Sequence, residues 1–355
     1  MVRKVKKQKQ IFRQRQKPQR GFWLALRPKI PASPGTVLFG LRACLKIIFA
    51  FLFSSVIFTS CVQPLYKNTF VIAGSYLEVT SPDAKAATIV YEEFKRLSDF
   101  FNNYDPDSEI SRLNKTYPTP FKASQDLIAV LKLSKEIYDL TGGVFDVSQG
   151  ALYNFWKQYI NCREQAYLFP TQEEIGRLRE LGGMDNIAID FIQKTVTIKK
   201  QGLKIDLGGI AVGYIVDKAV AKLKEKGIES ALIDAGGDIY CLGKNQGKPW
   251  KVGIRDPKKR GVFIKVEELS DQAITTSGNY EQFFDYQGKR YSHLVDPRSG
   301  SAVSAGIDSV TVISETCALA DGLATAFFIL GKTEADKILA KNSIAARIFV
   351  VAGNE

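Results

Sequence analysis

The chain predicts an α+β fold, and three observations predict it. Helical spacing and strand alternation follow one another irregularly after residue 70, without a repeating strand–helix unit. The β runs between residues 250 and 276 lie close enough in sequence to pair antiparallel. No clear linker interrupts residues 70–355. Together these favour a mixed or antiparallel sheet flanked by helices, in one compact catalytic unit of one or two lobes, over a doubly wound parallel sheet.

The elements follow in order. Residues 62–70 read as a tether, and Val71 to Val79 alternates loosely, as a strand does. From Asp83 to Tyr104, Val90, Phe94, Leu97 and Phe101 recur at the spacing of an amphipathic helix, which ends in the turn formers Asn102 to Ser108. A second helix runs from about Ser124 to Leu140 and stops at Gly142-Gly143. Thr171-Gln172-Glu173-Glu174 is a capping box opening a short helix that ends near Gly182-Gly183. Lys204 to Leu207 reads as a strand; the pair Gly208-Gly209 then feeds a helix to Lys226, stopped by Gly227. Ser230 to Asp234, Trp250 to Ile254, Val262 to Val266, Ala273 to Thr276 and Asp308 to Ser314 are expected strands. A helix from about Glu315 to Leu330, a helix over Thr333 to Ala340 and a strand over Ile344 to Val351 complete the chain. Gly243 to Pro249 superficially resembles a phosphate-binding loop, but it is one residue short between glycines and has Pro where Ser or Thr is required. It reads as a hairpin turn.

The formal charge of +12 is misleading as a clue to partners. Met1 to Lys46 carries 13 Lys and Arg and no acid, and removing it takes the total to −1. Nucleic-acid binding is therefore excluded for the folded part. The basic stretch leads into the apolar run Ile47 to Phe58, shorter than the roughly 20 residues of a membrane span. It fits the apolar region of a signal peptide. Phe58-Thr59-Ser60-Cys61 is similar to a bacterial lipoprotein cleavage box, with Phe58 where Leu, Ile or Val is usual. The expectation is a lipid on Cys61 and an extracytoplasmic, membrane-anchored protein; an uncleaved signal anchor is the alternative. Beyond the signal, Cys162, Cys241 and Cys317 are odd in number and widely spaced, as buried free thiols are.

Chemistry concentrates in a few segments. The single histidine, His293, lies in Tyr291-Ser292-His293-Leu294-Val295-Asp296-Pro297-Arg298-Ser299-Gly300, read as a turn rich in acid, base and anion-binding groups. A lone histidine is more often structural than catalytic, so this alone does not decide its role. Asp321 and Thr325 are four apart on a predicted helix and share a face. They are hard oxygen ligands suited to Mg²⁺, or a solvent-facing pair in an Ala-rich helix. Asp206-Leu207-Gly208-Gly209 is a strand-to-helix turn that can aim N–H groups at an anion, or simply pack tightly.

Three blocks, Lys204 to Tyr214, Tyr291 to Gly300 and Cys317 to Ala326, together resemble the FAD:protein FMN transferase (ApbE, flavin-trafficking) family, over roughly Phe70 to Gly331. The resemblance implies a T-fold-like catalytic domain over residues 71–355, preceded by the extension and signal over residues 1–61. It implies Mg²⁺ held by Asp321 and Thr325 with the backbone carbonyls of Gly209 and Ala324, and FAD as substrate. It places FAD against Asp206, against Val144, Phe145 and Asp146 of the Gly-x-Phe-Asp segment, against Tyr104 as the stacking aromatic, and at Val295 through the backbone. His293 becomes the candidate base. Ala235 to Asp238 and Thr275 to Tyr280 match further blocks near the cofactor. Two positions depart from the family: Ala73-Gly74-Ser75 lacks the Met of Met-Gly-Thr, and Val212 replaces a residue that is often charged. The implied reaction transfers FMN from FAD to a threonine of a target flavoprotein subunit in a membrane electron-transfer complex, releasing AMP. A metal-dependent FAD pyrophosphatase and a non-catalytic flavin-binding lipoprotein are the alternatives. No Gly-x-Ser-x-Gly, His-Glu-x-x-His or complete P-loop is present.

Overall fold

Local sequence rules account for most of the elements in the computed structural model, which describes residues 64–353 apart from 73, 162–168, 280–282 and 305. The N-terminal extension, the signal, Cys61, Ala73, Cys162 and Tyr280 lie outside the described residues. Strands β1 (Tyr66–Ile72) and β2 (Ser75–Ser81) form an antiparallel hairpin where one strand and a tether were expected. Gly74, at φ 77°, takes the left-handed conformation that lets the chain reverse there. Helix α1 (Ala86–Phe101) buries Val90, Phe94, Leu97 and Phe101, as their spacing requires. Helix α2 (Glu109–Leu113) is capped by Ser108, whose hydroxyl accepts from Ser111 N at 3.1 Å. Strand β3 (Phe121–Lys122) precedes α3 (Gln125–Leu140), capped in the same way by Ser124.

Helix α4 (Gly150–Asn161) was not foreseen: it opens on a glycine, without a side-chain cap in the sequence to announce it. Helix α5 (Gln172–Glu180) has the expected capping box between Thr171 and Glu174. The hairpin β4 (Ile187–Asp190) and β5 (Thr195–Ile198) makes a small sheet with β3. Lys204 to Leu207 is not a strand. Lys204 forms an isolated parallel bridge to Gln149, and hydrogen bonds from Gly150 N to Lys204 O and from Asp206 N to Val147 O, both 2.8 Å, tie the turn to the start of α4 instead. Helix α6 (Ala211–Glu225) follows the glycine pair.

Then come β6 (Ala231–Ala235), β7 (Asp238–Leu242), β8 (Trp250–Arg255), β9 (Phe263–Leu269) and β10 (Gln272–Gly278). Gly243 to Pro249 is a tight turn, with Asn245 and Lys248 exchanging both backbone hydrogen bonds at 2.8 and 3.0 Å. Strands β11 (Phe283–Tyr286), β12 (Lys289–Asp296) and β13 (Ser301–Ser304) form a separate three-stranded sheet. Strand β14 (Ile307–Ser314), helices α7 (Cys317–Leu330) and α8 (Lys332–Lys341), and strand β15 (Arg347–Ala352) complete the fold.

The main sheet has seven strands in the order β1-β2-β6-β7-β10-β14-β15, antiparallel throughout. Its central strands are buried on both faces. Ala273, Val310 and Val312 join the core beneath α1, α6 and α7, whereas Ile274 and Ile313 face Trp250, Val252 and Ile254 of the β8–β9 hairpin. A third cluster, Leu152, Trp156, Ile175, Val295 and Ala302, joins α4 and α5 to the β12–β13 sheet. This mixed, largely antiparallel architecture is the expected α+β class.

Helices α6 and α7 approach most closely at Gly213. A Cβ there would lie 2.6 Å from Cys317 O and 2.8 Å from Ala318 Cα, both backbone atoms that cannot swing aside. Gly213→Ala is expected to cost about 1–3 kcal/mol by overpacking. Gly176→Ala, within α5 and with open space around it, is expected to gain roughly 0.5–1 kcal/mol. Urea denaturation of the two variants checks both signs.

Candidate functional site

Helix α7 carries Asp321 and Thr325 one turn apart, and the chain brings the Gly209 turn against them. A Cβ at Gly209 would lie 3.3 Å from Thr325 Oγ1 and 3.3 Å from the Phe145 ring, a tight fit that would make those side chains give way. Thr325 Oγ1 is also 3.4 Å from Ser277 Oγ of β10. Ala324 is fully buried beside them. On the same helix-facing side of β10, Thr275 Oγ1 is buried without a hydrogen-bond partner.

Asp321 is 8% exposed, and its carboxylate has one hydrogen bond among the described residues, a long 3.4 Å contact from Gly213 N. Burial pushes its carboxyl up to about 7; the Gly213 N–H opposes that rise and the nearby Asp217 charge adds to it. A buried carboxylate so poorly paired is costly in its ionised form and suits a cation.

Asp217 itself was missed by sequence reasoning. Its two oxygens accept from Cys317 N at 2.7 Å and Ala318 N at 2.9 Å, capping α7 one turn ahead of Asp321. Burial pushes its carboxyl up to about 6, against the pull of those two N–H groups. No signal in the sequence announced it, because Thr316 stands at the cap position and only the structure shows that its side chain makes no cap bond.

The flavin-type segments converge on α4. Tyr153 donates its hydroxyl to Asp146 O at 2.9 Å. Burial raises its phenol well above the ordinary value, and the charges of Asp146, Asp206 and Asp296 raise it further. Burial also raises the carboxyl of Asp146, against hydrogen bonds from Ser148. Asp206 accepts from Gly208 N at 2.8 Å through one oxygen and from Lys157 Nζ at 2.8 Å through the other. Lys157, on the unforeseen helix, is a second residue that sequence reasoning missed. Tyr104 is 85% exposed on the turn after α1, open to a planar ligand.

Two of the expected site residues, Phe145 and His293, are placed differently. Phe145 was expected to offer an aromatic surface, but its ring is 3% exposed, filling the space that Gly209 and Gly322 leave. Val144 and Val295 are likewise buried, leaving their backbones as what a ligand can meet. His293 is not in a turn: it lies in β12, where the register shifts between Tyr291 and Val295. Pairing with β11 and β13 extends this segment, and the irregularity re-aims the side chains within it. The turn proper is Pro297 to Gly300, where Asp296 receives Arg298 Nε at 3.0 Å and a second guanidinium N–H at 2.8 Å. The Ala235 to Asp238 turn adjoins a cavity of about 50 Å³. Asp234, Gly237, Arg255 and Thr276 line it, whereas Asp321, Thr325, Asp206 and Asp146 do not.

The raised Asp321 carboxyl has a consequence for stability. Its folded value, about 7, exceeds its ordinary 3.8, so the folded state holds the proton more tightly. Its contribution is full below about pH 4 and is lost as pH rises through about 7. In cation-free buffer Asp321→Asn should therefore melt with the parent at low pH and above it at pH 8. Melting curves taken in a chelator check this.

Comparison with known proteins shows the family. Residues 69–348 match the ApbE family. A protein of Vibrio cholerae serotype O1 named FAD:protein FMN transferase is 34% identical over 260 residues, spanning 72% of this chain and 76% of that one. One of the same name from Haemophilus influenzae is 30% identical, spanning 78% of this chain and 81% of its own. The solved ApbE protein of Thermotoga maritima superposes with a TM-score of 0.73 at 30% identity, over 82% of this chain and 96% of that one. The flavin transferase ApbE of Vibrio cholerae gives 0.70 at 29%, over 82% and 98%. The chain belongs to the ApbE family.

Proposed function

We propose that this protein is an FAD:protein FMN transferase, moving FMN from FAD onto a threonine of a target flavoprotein and releasing AMP. The observation that carries the reading is the buried, nearly unpaired Asp321, one helical turn from the Thr325 against which the Gly209 turn packs, with Tyr104 exposed elsewhere in the site. The names of the relatives support it.

The donor set fits Mg²⁺. The Asp321 carboxylate, the Thr325 hydroxyl and the carbonyls of Gly209 and Ala324 are the groups to hold it, all hard oxygens. When bound, the ion supplies positive charge that polarises the pyrophosphate and offsets the charge on departing AMP. The chain's own residues do the rest. Tyr104 stacks on the flavin ring. The Gly208-Gly209 turn lets backbone approach the phosphates, its geometry held by Asp206. His293 accepts the proton of the acceptor hydroxyl as its oxygen bonds to the FMN phosphorus and the bond to AMP breaks.

We further assign the chain to the extracytoplasmic face of a membrane, held by lipid on Cys61, with subunits of membrane electron-transfer complexes as its targets. The apolar run before Cys61 supports the anchor. Among the described residues no helix is long and apolar enough to cross a membrane.

Incubation of the full chain in detergent with FAD, Mg²⁺ and a threonine-bearing acceptor tests the activity. The acceptor should gain one FMN by intact mass, and Asp321→Ala should lower the rate by about a hundredfold or more, the scale of losing a key transition-state charge interaction. AMP with an unmodified acceptor would establish hydrolysis in its place. Mg²⁺ should also raise the melting temperature of the parent at pH 8 and leave Asp321→Asn unmoved; equal shifts would place the ion elsewhere.

A further inference from the structure

Lys157 has no part in the reading above, yet it is the basic side chain bonded to the glycine turn. Its Nζ lies 2.8 Å from Asp206 Oδ2, with the lysine side chain 38% exposed and the aspartate 5%. Asp206 spends its other oxygen on Gly208 N. The pair therefore leaves the ammonium with outward N–H donors while fixing its position. Burial is the largest influence and lowers its proton affinity, but the charge and the hydrogen bond of Asp206, with the smaller effect of Tyr104, together turn the net shift upward, so the ammonium stays charged. The 2.8 Å contact with Asp206 fixes where Lys157 sits, and Tyr104 also bears on its charge.

The surrounding charge makes such a cation necessary. The charges of Asp146, Asp206 and Asp296 all act on Tyr153, and that of Asp217 acts on Asp321. Arg298 is committed to Asp296 through two hydrogen bonds. A pyrophosphate carrying two negative charges meets mostly carboxylates along this wall. A dinucleotide with its flavin on Tyr104 and its phosphates at Gly208-Gly209 passes the Lys157 ammonium on the way.

We propose that Lys157 binds the pyrophosphate of FAD, so that it is a specificity residue selecting the dinucleotide over the phosphate-free flavin. This rests on the FAD reading of the site. A lysine that only pinned α4 to the turn would support any ligand of the site equally; one that touches the pyrophosphate favours FAD alone.

Flavin fluorescence titrations of the full chain in detergent, with FAD and with riboflavin, separate these. Lys157→Met should weaken FAD about tenfold, the scale of one charge-assisted hydrogen bond, and leave riboflavin within twofold. Lys157→Arg should keep most of the FAD affinity. Added KCl should weaken FAD binding more steeply in the parent than in Lys157→Met. If Lys157→Met does not fold, the Lys157→Gln variant carries the same comparison. Equal losses for both flavins, or no loss for FAD, overturn the role of Lys157 alone. A parent that binds riboflavin but not FAD overturns the FAD reading, and this proposal falls with it.

Discussion

The close packing of α7 on α6 is the constraint on which the rest of the site depends. Gly213 lets the backbones approach until Cys317 O occupies the place of a side chain. That approach brings Asp217 of α6 onto the first N–H groups of α7 and points Gly213 N at Asp321. A carboxylate is thus carried into the interior by helix packing and left with one weak partner. Folding energy from the core holds it there, since the cost of burying it falls on that one contact. Such local strain in polar pairing is tolerated where a ligand later supplies what is missing.

Helix α4 plays the matching role for the opposite wall. Trp156 donates to Gly300 O at 2.9 Å, Tyr153 to Asp146 O, and Lys157 to Asp206. One helix therefore anchors three segments that are distant in sequence, the Gly-x-Phe-Asp loop, the glycine turn and the histidine-bearing strand. Its apolar side packs on Ile175, Val295 and Ala302, which makes the third cluster of the fold a support for the site.

Much of this was legible in the sequence, and what was not had physical reasons. Val90, Phe94, Leu97 and Phe101 declared their helix because burial follows the 3.6-residue period. Asp321 and Thr325 declared a shared face for the same reason. Asp217 did not declare itself, because a cap supplied across 100 positions leaves no local pattern. The inward ring of Phe145 depends on two glycines, Gly209 and Gly322, that are far from it in sequence. His293 looked like part of a turn because Asp296, Pro297 and Gly300 are turn formers, whereas it lies within a strand whose residues on either side, Ser292 and Val295, pair with neighbouring strands. The hairpin at Gly74 was hidden because alternation continues on either side of it.

The central claim is that helix packing prepares Asp321 for a cation at one place in the fold. Anomalous diffraction from crystals of the protein soaked in Mn²⁺ tests it most directly, since Mn²⁺ accepts the same oxygen ligands as Mg²⁺. A single strong peak bonded to the Asp321 carboxylate and Thr325 Oγ1, beside the Gly209 carbonyl, is the predicted result. A peak among Asp146, Asp206 and Asp296 instead, with none at Asp321, would contradict it.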